Sequence, residues 1–337
     1  MSDANEERKA KLRRLRGLAM SPAKQAEYAV ELLQEVNDAK RGKLIGERET
    51  IQAALRVLAN HPTEAARDVL MAVYARFAEN GPLYDAGAYA RSLILAALRP
   101  TLFQADLPLM IAAVETYEFP PPQFKEEAAP LRATALVAIN ELDDFVARFH
   151  ATRLLADEYT DPMSGEPALS AIRVLGSQGE LLPLYYYVMQ PTTQTLPELV
   201  AESLRLLTNL PAALLPGLQG RYTETPHDVV LAGLFDLLLD HEAGPHGEDY
   251  LMVFLRKTNR YDAYQYLITA IVSRAATGRE LFLAALLAYA EHEHKHEKVI
   301  ILVDTLSILS HNAEIAALLR KLEERPTTRR TRVGRNL

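Results

Sequence analysis

The chain has 337 residues, 49% hydrophobic and 24% charged, with no Cys and no Trp. This composition excludes collagen-like, disordered and disulfide-stapled chains, and the missing thiols exclude cysteine nucleophiles, iron–sulfur clusters and Cys-ligated zinc. The net charge of −7 hides a division: residues 1–24 carry seven Lys/Arg against three acids, residues 325–337 carry five Arg and no acid, and the stretch between them is acidic by sixteen charges.

In chain order, the N-terminal stretch sets Arg8, Lys9, Lys11, Arg13, Arg14 and Arg16 among Leu12, Leu15 and Leu18. That is the pattern of a short basic amphipathic helix for an anionic surface or partner, and residues 1–22 read as a basic arm. The polar Ser21–Gln25 that follows lacks the apolar core of a signal sequence. The longest apolar run, Leu281–Ala290, has ten residues, whereas a membrane span needs about 20, so the expectation is a cytoplasmic protein. A leading helix is expected over Ala23–Asp38. From there helical spacing dominates, with Gly or Pro breaking it about every 12 to 20 residues. In Glu198–Leu207, for example, the apolar positions 199, 200, 203, 204 and 207 form one stripe.

The helices also repeat. Glu180–Leu184 opens a helix containing Pro183, a Pro/Thr turn follows at 191–195, and a second helix closes at Leu207–Leu210. Ala212–Leu218, containing Pro216, begins the pattern again, with a turn at Thr223–Pro226 and a second helix through Leu238; Pro108 sits equivalently in Ala105–Ile111. The ends of successive second helices align at Leu58, Leu98, Ile139, Leu175, Leu207, Leu238, Val272 and Leu309, about 36 residues apart on average, within the range of paired-helix repeats. Leu181-Leu182-Pro183-Leu184 and Ala171–Gly179 resemble the two helix patterns of the HEAT-repeat (armadillo-like) family, over about residues 45–322. The resemblance implies an all-α fold, a right-handed α-α superhelix (solenoid) of about eight HEAT-like helix pairs occupying residues 23–323, with a basic tail over 324–337. The Asp and Arg that form a ladder in many members of that family are mostly missing here, as Gln190 and Leu199-Val200 illustrate. A Pro in the first helix would bend it; the plainer reading is a Pro at a helix start.

Chemistry is sparse. His292-Glu293-His294-Lys295-His296 satisfies H-E-x-x-H, which on a helix would put two His on one face to hold zinc and leave the Glu as base. The repeat register instead places it in a turn between helices, and Glu314, the only spaced third ligand, starts another helix. HEAT-repeat deoxyhypusine hydroxylases hold two irons with His-Glu dyads. The dyads here, His241-Glu242, His292-Glu293 and His296-Glu297, lie 51 and 4 residues apart, and neither gap is a repeat. The resembling DNA glycosylases need a basic groove, against which the acidic body argues. Tyr185-Tyr186-Tyr187 point about 100° apart on a helix, so they read mainly as packing, as do Tyr250, Tyr261, Tyr264 and Tyr266. No catalytic residue, metal ligand or cofactor is assigned.

The expected function is therefore a non-catalytic scaffold or adaptor for a protein or peptide partner, a basic one by charge complementarity. The acids Glu126, Glu127, Glu141, Glu198, Glu202, Asp228 and Asp236 on or beside the second helices are the candidate partner-binding residues. Arg329, Arg330, Arg332 and Arg335 form a candidate basic-tail site, expected to be unstructured alone. Two alternatives stand beside this: a metal-dependent enzyme using residues 292–296, and association with nucleic acid or an anionic membrane through the basic termini.

Overall fold

The computed structural model describes residues 2–17, 21–37, 47–190 and 196–324. The arginines of the tail site and the turn at 191–195 lie outside the described residues. Every regular element among those described is helical. The chain divides into two compact units, Met1–Gly179 and Glu180–Leu337.

In the first unit, α1 (Ser2–Arg16), α2 (Pro22–Asn37), α3 (Arg48–Asn60), α4 (Arg67–Ala78), α5 (Tyr89–Leu98), α6 (Leu107–Val114), α7 (Ala129–Leu142), α8 (Asp144–Leu155) and α9 (Ala168–Ser177) follow one another. The helices α2, α3, α5, α7 and α9 pack each on the next, and α4, α6 and α8 lie against this series as a second layer. The second unit repeats the arrangement with α10 (Leu181–Met189), α11 (Pro197–Leu206), α12 (Leu215–Tyr222), α13 (Asp228–Asp240), α14 (Glu248–Lys257), α15 (Tyr261–Ala276), α16 (Leu283–Ala290), α17 (His296–Leu306) and α18 (Ala313–Glu323). Here α11, α13, α15 and α17 form the stacked series. The leading helix expected from 23 begins one residue earlier, at Pro22, and the basic N-terminal segment is helical.

Local sequence explains these elements. In α3 the buried Ile51, Ala54, Leu55 and Leu58 recur at i, i+3, i+4 and i+7, one apolar stripe for one neighbour. In α13 every residue from Val230 to Leu239 is buried, because this helix lies between α11 and α15 and under α12. A helix enclosed in this way is apolar nearly all round. Gly233 lets its backbone approach α11: a Cβ there would stand 2.6 Å from the Ala201 carbonyl oxygen. Side chains of Asp143 and Asn312 accept N–H bonds at the starts of α8 and α18, a cap contributing about 1 kcal/mol.

All eight register residues from Leu58 to Leu309 are buried, seven of them completely. Each buried Leu side chain contributes about 1.5–3 kcal/mol. The prolines follow the plainer reading. Pro108 and Pro216 sit in the first turn of α6 and α12, each helix being entered from a 3-10 turn, Gln104–Asp106 and Ala212–Leu214. A first-turn Pro forfeits no helix hydrogen bond, so these prolines start their helices instead of bending them.

Candidate functional site

The acids singled out from the sequence divide into two sets. Glu126 is buried, ion-paired at 2.7 Å with the fully buried Arg132, and accepts the N–H groups of Glu118 and Ala128 at 3.2 and 2.7 Å. Glu141, at the end of α7, takes the guanidinium of Arg99 from the end of α5, with Nε at 3.1 Å. Asp228, at the start of α13, pairs with Arg260, which precedes α15. Glu202 faces Arg205 one turn on, at 3.4 Å. Asp236 is a node: Arg205 from α11 approaches at 2.9 Å, Arg274 from α15 at 3.0 Å, and the Tyr266 hydroxyl donates to it as well. Only Glu127 and Glu198 make no side-chain bond among the described residues. Five of the seven acids are therefore paired with arginines, Glu126 and Glu202 with ones close in sequence and Glu141, Asp228 and Asp236 with ones more than 30 residues away.

These bonds share a span. Arg205–Asp236 bridges 31 residues, Arg260–Asp228 32, Arg67–Asp106 39 and Arg99–Glu141 42. Bonds to backbone carbonyls do the same: Arg153 to Val114 across 39 residues, His241 to Leu210 across 31, and Tyr289 to Leu255 across 34. Each joins elements 31 to 42 residues apart in sequence. Arg274 also binds Asp240 through two nitrogens, at 2.9 and 2.5 Å. Those bonds hold the Asp240 carboxyl below its usual range and, against desolvation, push the Arg274 guanidinium higher still.

The His-rich segment spans the turn between α16 and α17 and the first residue of α17. Glu293 is buried, with both oxygens engaged: one accepts the N–H groups of His294 and Lys295 at 2.9 and 2.8 Å, the other the Tyr289 hydroxyl at 2.5 Å. Lys298, with no exposed surface, lies 3.8 Å away and donates to the carbonyls of Leu255 and Arg256. Burial raises the Glu293 carboxyl, but the bonds from Tyr289, Lys295 and His294, with the Lys298 charge, outweigh it and leave the group below its usual range. Burial pushes the Lys298 amine down and the Tyr289 phenol up.

A carboxylate held in this way links the end of one helix to the start of the next. His241 likewise spends both ring nitrogens, one on the Leu210 carbonyl at 2.6 Å and one on the Ala243 N–H at 2.9 Å. No group of three His, Asp or Glu among the described residues is arranged to hold a metal ion. Two clefts of about 580 and 730 Å³ flank the turn, one lined by Glu248, Arg256 and Tyr289, the other by Tyr261, Lys295 and Glu297.

The tyrosines divide: Tyr187 and Tyr264 are buried and Tyr250 half-buried, with burial pushing the Tyr187 and Tyr250 phenols to about 12, whereas Tyr186, Tyr261 and Tyr266 are exposed. The basic helix α1 differs from expectation in one respect. Its Leu12 and Leu15 are buried against neighbouring helices, and Arg14 lies 3.9 Å over the Tyr28 ring, so these two leucines are already covered within the unit. Arg13 and Arg16 remain exposed. No helix among the described residues is long and apolar enough to cross a membrane. Sequence reading missed the exposed Phe119, Phe124, Tyr159 and Met163; the signal was Phe119 and Phe124 bracketing three consecutive prolines. No family model, curated protein or solved structure matches this chain.

Proposed function

We propose that the protein is a non-catalytic scaffold or adaptor, a right-handed solenoid of about eight HEAT-like helix pairs that binds a protein or peptide partner over its surface. The observation that carries this reading is the span of the internal bonds. Asp228, Asp236, their arginines, His241 and Lys298 are spent on joining a helix to elements about one repeat away. Nearest-neighbour bonding of this kind characterises repeat arrays, which present extended surfaces to partners. The buried register residues, spaced about one repeat apart, support the same architecture. With most acids neutralised internally, the residual negative charge available to a basic partner lies on residues such as Glu127 and Glu198.

The test is recovery of proteins from native extract on the full chain, repeated with Glu127→Lys and Glu198→Lys. The reading predicts a stoichiometric protein partner that one of these variants loses. Stoichiometric zinc or iron in the purified protein, lost on replacing His292 and His296, would overturn it in favour of a metal enzyme.

A further inference from the structure

The first unit carries an apolar surface on two loops, 116–128 and 156–167, held in place by buried charges. Tyr117 donates to Asp157 at 2.9 Å, and the guanidinium of Arg132 lies 4.0 Å over the Tyr117 ring and reaches both Glu126 and Asp157. Above this frame the rings of Phe119 and Tyr159 meet edge to face at 5.2 Å, while Phe124 is 65% and Met163 92% exposed. Arg91 pairs with Asp85 and Glu118, and Arg132 with Glu126 and Asp157. That leaves Glu127, Glu158, Asp161 and Glu166 on the two loops against a single cation, Lys125. Beside them opens a hollow of about 290 Å³ lined by Tyr89, Lys125, Glu127 and Asp161.

We infer that this surface docks a segment of a partner protein in which arginine or lysine alternates with apolar side chains. The occupant follows from complementarity. Apolar side chains cover Phe124 and Met163, which would otherwise remain wet. A guanidinium or ammonium enters the hollow against the Tyr89 ring and the carboxylates of Glu127 and Asp161. The frame is already ordered by the Arg132 bonds, so docking costs little further ordering of the loops. The inference rests on the adaptor reading and assigns it a place and a partner chemistry.

The test is a fluorescence-anisotropy titration of the full chain with a labelled peptide alternating arginine and leucine, at about 0.15 M ionic strength. Hydrogen exchange locates the bound peptide. Phe124→Asn is the principal variant, since Phe124 has φ +50°, a conformation Asn tolerates better than Phe, so lost binding does not reflect lost folding. The expected result is saturable binding with protection of 116–128 and 156–167. Phe124→Asn and Glu158→Lys should each weaken it about fivefold or more, and Lys125→Gln should strengthen it, by removing the like charge.

Affinity unchanged in Phe124→Asn and Glu158→Lys overturns the placement. If Glu198→Lys in the other unit then abolishes binding, the adaptor reading survives without this site; no binding of the peptide by the wild-type chain overturns both. Phe124-dependent sedimentation with phosphatidylcholine vesicles, with no peptide binding, would instead identify a lipid surface as the occupant.

Discussion

Replacing Asp236 distinguishes an acid that holds helices together from one that awaits a partner. In Asp236→Ala, Arg205 loses a bond of 2.9 Å and Arg274 one of 3.0 Å, and the Tyr266 hydroxyl loses its acceptor. Removing one partner of a fully buried pair costs about 3–5 kcal/mol. Asp236 is buried, but the Arg205 and Arg274 side chains are 33% and 19% exposed, so water recovers part of that loss, and Arg274 keeps Asp240. An expected cost of about 2–4 kcal/mol follows from these considerations. In a unit of this size that lowers Tm by roughly 5–15 °C. Thermal and urea denaturation measure the total, and native-state hydrogen exchange should show the loosening in α11, α13 and α15. A loss under about 0.5 kcal/mol, the ordinary result for a solvated surface acid, would refute the reasoning and return Asp236 to the candidate partner-binding residues.

Other consequences can be measured separately. Gly233→Ala places a Cβ 2.6 Å from the Ala201 carbonyl oxygen, so despite the better helix propensity of Ala it should destabilise by about 1–3 kcal/mol in denaturation; a stabilised variant would show that α11 and α13 are not in backbone contact. The Glu293 carboxyl is depressed in the folded chain, so its contribution to stability is complete above pH 4.5 and disappears as pH falls through the depressed value. Glu293→Gln should therefore flatten that part of the acid limb of a stability–pH curve. Lys298 is shifted downward as well, which gives a dependence of the same sign in an alkaline window: the folded state releases this proton first, and stability rises with pH up to about 10.5. Lys298→Met should remove that rise. Metal analysis of the purified chain should find no stoichiometric zinc or iron, and His292→Ala with His296→Ala should leave its denaturation midpoint unaltered by added zinc.

Periodicity made the helices and their register legible, because burial at every repeat leaves an apolar residue at each of the eight positions and all eight are buried. Pairing was not legible. Nothing local in Glu141 or Asp228 announces that Arg99 and Arg260, 42 and 32 residues away, arrive beside them. A series of acids thus read as a charged surface although most were already matched. The His-rich turn misled in the other direction: H-E-x-x-H carries its meaning only on a helix, and here Glu293 turns inward to Tyr289 and two backbone N–H groups. The aromatic loops went unremarked because exposure of Phe124 and Met163 depends on the buried Arg132 frame beneath them, which no spacing encodes.

Acids that join helices and acids that meet a partner are separated most directly by one measurement: the affinity of the arginine–leucine peptide for Asp228→Asn and for Glu158→Lys. Asp228→Asn should lower stability, through the lost Arg260 pair, while leaving affinity within about twofold, and Glu158→Lys should lower affinity about fivefold or more with stability unchanged. The reverse pattern, affinity lost with Asp228 and retained with Glu158, would contradict the division.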